Sequence, residues 1–355
     1  MYNPKFTITA NILNFISKIE AAKEIIEDAP LVPAYEVKFR DEAIIRTVHH
    51  GTHIEGNLLD SGQVKAVLEG REITAKERDI QEILNYRNVL KYINSIHNLQ
   101  DKNQVILEKD LLAIHRLTVE KTLPKMQAGR YRRTQVVVKN SKTGKISFIP
   151  PKAEKIPVLI NDFFAWLNLQ ESEFVHPVLT AGITHYVLAY IHPFVDGNGR
   201  TARAFATLVL FMRGYDIKKF FSIEEYFDRN AKLYYQTLQT VSRQRAKNLS
   251  GRNLTIWLEY FCQGLAEELT RIKERVKKLS LDIKLKGRTG QISLSERQVR
   301  IVEYIQNYGS INNRQWRGLL PEYSDDTILR DLKDLAKKGL IKKKGSTKGA
   351  VYILK

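Results

Sequence analysis

His192-Pro193-Phe194-Val195-Asp196-Gly197-Asn198-Gly199-Arg200-Thr201-Ala202-Arg203 is the stretch on which the reading of this chain turns. Two glycines flank Asn198, so the backbone can turn tightly there and approach a ligand closely. An apolar helical pattern follows over about 200–212 and stops at Gly214. The stretch therefore opens a helix, where exposed backbone N–H groups form an anion site. Arg200 and Arg203 are three residues apart and share one face of the first turn. Cations at that end oppose the helix dipole, a cost that makes sense if an anion sits there. Asp196 supplies a hard carboxylate suited to Mg2+ shared with phosphate oxygens. His192 is a general-base candidate for a hydroxyl near neutral pH. A polyphosphate cradle, a metal carboxylate and a base together describe phosphoryl or nucleotidyl transfer. Singly, each part has a plainer reading as a structural histidine, an ordinary turn or a solvated face. The twelve residues in this order leave little room for it.

Outward from that stretch the chain reads as helices. Ile12, Phe15, Ile16 and Ile19 recur at helical spacing, Pro30 and Pro33 interrupt, and a second helix covers about 35–50. Further helical patterns lie at about 61–69, 76–98, 107–120, 156–169, 176–191, 229–244 and 253–280. One segment differs. Residues 135–139 are rich in β-branched side chains, 140–144 are turn chemistry, and 145–149 alternate before Pro150-Pro151. This predicts a single β-hairpin, which cannot form a core alone and must lie on something, as a flap over a site. Trp166, Trp257 and Trp316 read as core.

The C-terminal part follows another plan. The chain turns basic over 271–288, and a linker is expected at 284–292. Helices are predicted at 296–308 and 313–320, and Ser324 caps a third with Asp325 and Asp326 near its N-terminus. Ile328, Leu332 and Leu335 form its buried stripe, and Gly339 ends it. Residues 340–343 and 351–354 read as strands. Three helices followed by a hairpin is the order of a winged helix. Arg330, Lys333 and Lys337 share a face of the third helix, and Lys342-Lys343-Lys344 lies in the wing. Asp331 and Asp334 interleave, which leaves DNA contact and protein docking through 293–355 both open.

Composition bounds the function. At 355 residues, with 43% hydrophobic and 27% charged residues, the chain is an ordinary globular mix of two or three domains. Cys262 is its one cysteine, which excludes an intrachain disulfide framework and a cysteine zinc cluster. No basic segment followed by an apolar core opens the sequence, and no apolar run approaches the ~18 residues of a spanning helix. A cytoplasmic protein without membrane association is the expectation, with a homo-oligomer left open. The net charge of +18 is uneven: residues 271–355 carry +12 and the preceding 270 only +6.

The segment 192–203 resembles the signature of the Fic family, His-x-Phe-x-(Asp/Glu)-Gly-Asn-Gly-Arg-x-x-Arg, without a departure. Ala128-Gly129-Arg130-Tyr131-Arg132, the hairpin, Pro150-Pro151, Asn161–Leu167 and His176-Pro177 look like the extended family too. The resemblance implies a mainly α fold: a Fic-type helical core with one β-hairpin flap, plus a C-terminal winged helix. The expected divisions are 1–100 for an N-terminal helical region, 101–283 for the catalytic core and following helices, 284–292 for the linker and 293–355 for the winged helix. The implied activity is protein AMPylation, transfer of AMP from Mg-ATP to a Ser, Thr or Tyr hydroxyl of a target protein or of the chain itself, releasing pyrophosphate. By position, His192 would deprotonate the hydroxyl and Asp196 would bind Mg2+. Gly197, Asn198 and Gly199 would bind phosphate oxygens, Arg200 and Arg203 would hold the triphosphate, and Phe194 would anchor the loop. The hairpin at 135–149 would dock the target by strand addition. Ser222, Tyr226, Asn230, Tyr234 and Tyr235 fall where the family places groups near the adenine, with helix packing as the alternative.

Thr52-His53-Ile54-Glu55-Gly56-Asn57 resembles the family's inhibitory motif, (Ser/Thr)-x-x-x-Glu-(Gly/Asn). Glu55 would pair with Arg203, in a buried bidentate contact that competes with ATP. The sequence departs at one point: Gly51 stands where the motif has its hydroxyl, and Thr52 follows one residue later. His49, His50 and His53 invite a metal reading against a polar surface, with no cysteine or acidic pair apart from Glu55 to complete a site. Two further readings stay open: removal of AMP or use of another nucleotide by the same loop, and a DNA-binding regulator with an inactive Fic core.

Overall fold

The computed structural model describes the chain except residues 1, 30, 32, 100–104, 140–143, 145, 170–173, 280–293, 346–349 and 355. The expected linker at 284–292 and most of the hairpin turn lie outside the described residues. In chain order the helices and strands are α1 (Ala10–Asp28), α2 (Pro33–His53), α3 (Ser61–Leu68), α4 (Glu77–Leu99), α5 (Glu108–Thr118), β1 (Val138–Lys139), β2 (Ile146–Phe148), α6 (Ile156–Leu167), α7 (Pro177–Ile191) and α8 (Asn198–Met212). They continue with α9 (Ile223–Arg229), α10 (Ala231–Ser242), α11 (Thr255–Leu279), α12 (Glu296–Tyr308), β3 (Ile311–Asn312), α13 (Asn313–Leu319), α14 (Asp325–Lys337), β4 (Ile341–Lys344) and β5 (Val351–Leu354). Two compact units emerge, one of Met1–Lys23 with Glu42–Thr270, the other of Glu24–Asp41 with Arg271–Lys355.

The first unit is built around α7 and α8. Every residue of α7 from Val178 to Leu188 is buried, as are nearly all those of α8 from Asn198 to Phe211. A helix apolar on all sides belongs at the centre of a core, and these two pack on each other while α4 and α5 cover α8. Gly182 lets α11 come close to α7: a Cβ there would lie 2.9 Å from Leu258 Cδ2, and Trp257 Nε1 donates to the Gly182 carbonyl at 2.7 Å. The hairpin pairs β1 and β2 antiparallel, with Val138 opposite Phe148. Phe148 lies 5.5 Å from the Tyr190 ring at the end of α7. The flap is therefore pinned beside the loop that follows α7.

The helix expected at 229–244 is divided. Asn230 leaves helical geometry (φ −136°, ψ 65°) and its side chain accepts from Leu233 N, ending α9 and capping α10. An asparagine competing for backbone partners makes such a break.

In the second unit α12, β3, α13, α14, β4 and β5 follow one another, with sheet order β3-β5-β4, antiparallel throughout. Val302, Ile305, Ile328, Leu332, Leu335 and Trp316 close its core. Ser324 caps α14 as expected, accepting from Thr327 N. Ser295 with Gln298 and Asn312 with Gln315 form reciprocal capping boxes at α12 and α13. The two residues of β3 are too few for period-2 alternation to show in the sequence. Among the described residues, no helix is long and apolar enough to cross a membrane.

Candidate active site

α7 ends at His192 in the left-handed region (φ 50°, ψ 58°). A non-glycine residue there is strained and persists only when its surroundings over-determine it. They do so here. His192 N donates to Leu188 O at 3.0 Å, and the buried Arg132 donates from Nε to His192 O at 2.9 Å. Arg132 also donates from its backbone N to Pro193 O (2.9 Å), from Nη1 to Thr134 O (2.9 Å) and from Nη2 to Pro151 O (2.6 Å). One guanidinium thus ties the loop to both feet of the hairpin.

The tautomer of His192 follows from its partner. Nδ1 lies 3.3 Å from the Ala189 carbonyl, which can only accept, so Nδ1 carries the proton and Nε2 keeps its lone pair. Burial lowers the imidazole pKa to about 4, against the Ala189 hydrogen bond that raises it, so the ring is neutral at pH 7. A neutral ring with a free Nε2 is the form a general base needs.

The loop is closed by side chains. Phe194 is 1% exposed and stacks on His115 with centroids 3.6 Å apart. Asn198 Oδ1 accepts from Phe194 N and its Nδ2 donates to Phe194 O, both at 2.9 Å. What Asn198 offers an anion is therefore its backbone N–H at the start of α8, not its amide. Gly197 sits at φ 75°, and a Cβ there would lie 2.7 Å from Val119 Cγ1. His115 Nδ1 accepts from Gly129 N (2.9 Å), which leaves Nε2–H to donate to Asp196 O (3.0 Å). Burial lowers this ring's pKa to about 4 as well. Asp196 turns Oδ1 to the Gly197 N–H and Oδ2 to Arg78 Nη2 at 3.3 Å, and its side chain is 45% exposed.

Both signature arginines are buried and face carboxylates from other elements. Arg200 Nη1 lies 3.2 Å from Glu82 Oε1 on α4. Glu82 also accepts from Arg78 Nε (3.2 Å) and from Asn57 Nδ2 (3.1 Å). Arg203 Nη1 lies 2.8 Å from Glu55 Oε1, while its Nη2 donates to Gly51 O at 2.9 Å. The Glu55–Arg203 contact is therefore single-ended, not the bidentate pair expected. Burial alone would lower the Arg203 pKa, but Glu55, together with Tyr234, Tyr86 and Tyr235, outweighs it and the guanidinium stays charged. A Cβ on Gly199 would fall 2.1 Å from Glu55 Oε1. The carboxylate thus sits directly over the first turn of α8, in the space an anion would take.

The segment 52–57 gains its geometry from α2. Thr52 donates its hydroxyl to Val48 O (2.8 Å) and His49 O (3.1 Å), and its carbonyl accepts from Glu55 N (3.0 Å). The Thr52 hydroxyl is thus spent on its own helix. Gly51 is required by packing, since a Cβ there would lie 2.6 Å from Tyr86 Cε1. His50 Nδ1 (2.7 Å) and His53 Nδ1 (2.9 Å) converge on Asp228. Burial pushes the Asp228 pKa up, but the two histidine hydrogen bonds outweigh it and hold it below the usual value. Among the described residues, no group of three or more His, Cys, Asp or Glu is arranged to hold a metal ion.

Tyr234 is buried beside Arg203, with its hydroxyl 3.0 Å from His185 Nε2. Tyr235 donates to Ile54 O at 3.2 Å, and Ser222 Oγ donates to Glu224 at 3.3 Å. Tyr226 lies against Gly264 and meets Tyr260 with its ring tilted, centroids 5.3 Å apart. Asn230 is the cap of α10. The residues that sequence reasoning did not single out are Arg78, Glu82, His115, Asp228 and the clamping role of Arg132. Only Arg78 and Glu82 left a signal, an opposite-charge pair four apart on a helix.

Residues 105–210 match the Fic/DOC family. The chain is 35% identical over 200 residues to the protein adenylyltransferase Fic of Culex quinquefasciatus, covering 56% of this chain and 38% of that protein. It is 38% identical over 176 residues to the protein of the same name in Aedes aegypti, covering 49% and 33%. The chain thus spans between a third and two fifths of these relatives' lengths. A Fic family protein from Desulfovibrio desulfuricans G20 has the same fold over 100% of this chain and 98% of its own, with TM-score 0.65 and 24% identity. A Fic domain containing signaling protein from Bacteroides thetaiotaomicron covers 77% of this chain and 99% of its own, with TM-score 0.62 and 25% identity.

Proposed function

We propose, from the premise that residues 105–210 are a Fic/DOC domain, that the chain transfers AMP from ATP to a hydroxyl of a protein. The observation that carries the reading is the pairing of a neutral His192, free at Nε2, with a helix N-terminus backed by Arg200 and Arg203. In this reading the target's hydroxyl oxygen attacks the α-phosphorus and its proton passes to His192 Nε2. The bond from that phosphorus to the bridging oxygen breaks, and pyrophosphate leaves with the electron pair. Backbone N–H groups at the start of α8 and the two guanidinium groups meet the phosphate charge. The relatives named protein adenylyltransferase Fic support this activity.

Mg2+ fits one feature of the site. Asp196 offers a half-exposed carboxylate, and Mg2+ shared with phosphates commonly takes one or two carboxylates and keeps waters. Asp196 would hold it, and the ion would neutralise charge on the phosphate oxygens. The exposed outer edge of the hairpin would receive the target by strand addition, where Arg132 keeps the flap in register with His192.

Glu55 acts as a brake in this reading. It fills the space above Gly199 and holds Arg203, so polyphosphate and Glu55 compete for one guanidinium. The test is labelling with ATP radioactive at the α-phosphate, using a lysate and the chain itself as acceptors. His192→Ala abolishes labelling with the fold intact, and Glu55→Gly raises it at least about ten-fold, the equivalent of ~1.4 kcal/mol. Equal labelling of wild type and Glu55→Gly would remove the brake. Undiminished labelling by His192→Ala would remove the mechanism.

A further inference from the structure

We propose that the solvent face of α14, together with β4, binds duplex DNA through its phosphates. The sequence left this undecided because acids interleave with the basic residues of α14. The side-chain contacts decide it. Asp331 faces Arg297 at 2.7 Å, and Asp334 is held by Lys338 (2.5 Å) and Gln298 (2.7 Å). Asp325 accepts from Arg317 Nε at 3.0 Å, and Glu322 from Arg300 at 2.6 Å. Each of these four carboxylates is already matched within the unit, and Asp331 is buried besides.

What remains on the outer face is mostly positive. Ile328, Leu332 and Leu335 point α14 inward. Opposite them, Arg330, Lys333 and Lys337 are exposed at spacings of three and four, which aligns them along one stripe. Asp326 is the single acid on that stripe, at its N-terminal end. From Arg330 to Lys337 the helix rises about 10 Å, and a helix of ordinary diameter enters a major groove about 12 Å wide. Lys342, Lys343 and Lys344 are exposed on β4, which packs on α14. The stripe carries no large apolar side chain. Protein interfaces draw their affinity from buried aromatic and aliphatic anchors, whereas phosphate binding needs none. The face therefore fits a nucleic-acid backbone better than an acidic protein.

The experiment uses the full chain and a fluorescent duplex of about 20 base pairs, followed by anisotropy between about 50 and 200 mM salt. Four to six phosphate contacts give a log–log slope of about −3.6 to −5.4, so affinity falls roughly 150- to 1,800-fold over that range. The triple variant Arg330→Ser, Lys333→Ser, Lys337→Ser lowers the slope by about three and weakens binding to every sequence alike. A second variant, with Lys342, Lys343 and Lys344 changed to Ser, repeats the effect from the wing and guards against a local folding defect in α14. No binding at the lowest salt overturns the proposal. So do variants that bind like wild type. Displacement of the duplex by poly-glutamate as efficiently as by unlabelled duplex overturns it in favour of an acidic protein. AMP transfer is measured in parallel and stays at the wild-type rate in both variants, so this proposal and the enzymatic one fail separately.

Discussion

Arg200 and Arg203 in the loop and Arg330 and Lys333 in α14 share the same three-residue spacing, yet the molecule treats the two pairs in opposite ways. The loop arginines are 4% and 1% exposed and are countered by carboxylates brought from the turn after α2 and from α4. The α14 cations are exposed, and Asp331 and Asp334 of their own helix are turned to other partners, which leaves Asp326 as the one acid on their stripe. Buried cations met from outside form a site whose occupancy can change, because a competing anion can displace Glu55 or Glu82. Exposed cations with their acids diverted form a standing field, which attracts a polyanion without any rearrangement.

The sharpest way to break this contrast is to remove a counter-charge from the loop. Glu82 lies 3.2 Å from Arg200 and binds Arg78 and Asn57 as well. Glu82→Ala leaves a buried guanidinium uncompensated, a loss of about 3–5 kcal/mol. Urea unfolding of the full chain measures it. A loss below about 1 kcal/mol would show that water reaches Arg200 and that the pair is not the buried one described here.

Acid separates the two regions next. All eight histidines lie between His49 and His192, and none falls in 271–355. His115 and His192 each have a pKa lowered to about 4 by burial, and that of His185 is pushed well below its usual value. For a folded pKa below the unfolded one, the unfolded chain binds more protons in the interval between them. Stability therefore falls as pH drops from about 6.5 towards 4, by at most ~3 kcal/mol for each of His115 and His192. Glu224, whose carboxyl is raised by burial, works in the opposite sense. Hydrogen exchange at pH 7 and pH 5 is expected to show α5 and α7 losing protection while α12 and α14 keep theirs. Equal loss in both would mean that something other than these imidazoles titrates.

The same contrast explains what could be read from the sequence. The twelve-residue loop was legible because its glycines, acid, base and arginines are contiguous. Glu55 was legible because a short motif surrounds it. Glu82, His115 and Arg132 were not, since each reaches the loop from a different helix or turn and is defined by a partner 60 to 118 residues away. Pairing the acids of α14 needed the same long-range knowledge: Asp331 meets Arg297 across 34 residues. Helix existence and the capping residue Ser324 followed from local chemistry. The division of α9 from α10 hinged on one asparagine, which local periodicity averages over.

Arg132 gives a smaller and more specific test. Its fork joins the His192 carbonyl to Thr134 and Pro151 at the feet of the hairpin. Arg132→Lys keeps the charge but cannot reproduce that planar geometry. The expected cost is about 1–3 kcal/mol of stability, together with a lower rate at saturating ATP and unchanged ATP affinity. A change in ATP affinity alone would place Arg132 at the phosphates, not at the joint between loop and flap.

The smallest effect is expected where the charge is greatest. Lys333→Ala touches no buried contact and leaves its carboxylate neighbours paired elsewhere, so unfolding free energy moves by no more than about 0.5 kcal/mol. The sign carries information. Six exposed cations on α14 and β4 repel one another, and removing one relieves that field, so the shift is expected to be towards stability at low salt and to vanish at high salt. A loss of stability that persists at high salt would mean that Lys333 is held by a specific partner. The face of α14 would then be part of the fold and not free for a ligand.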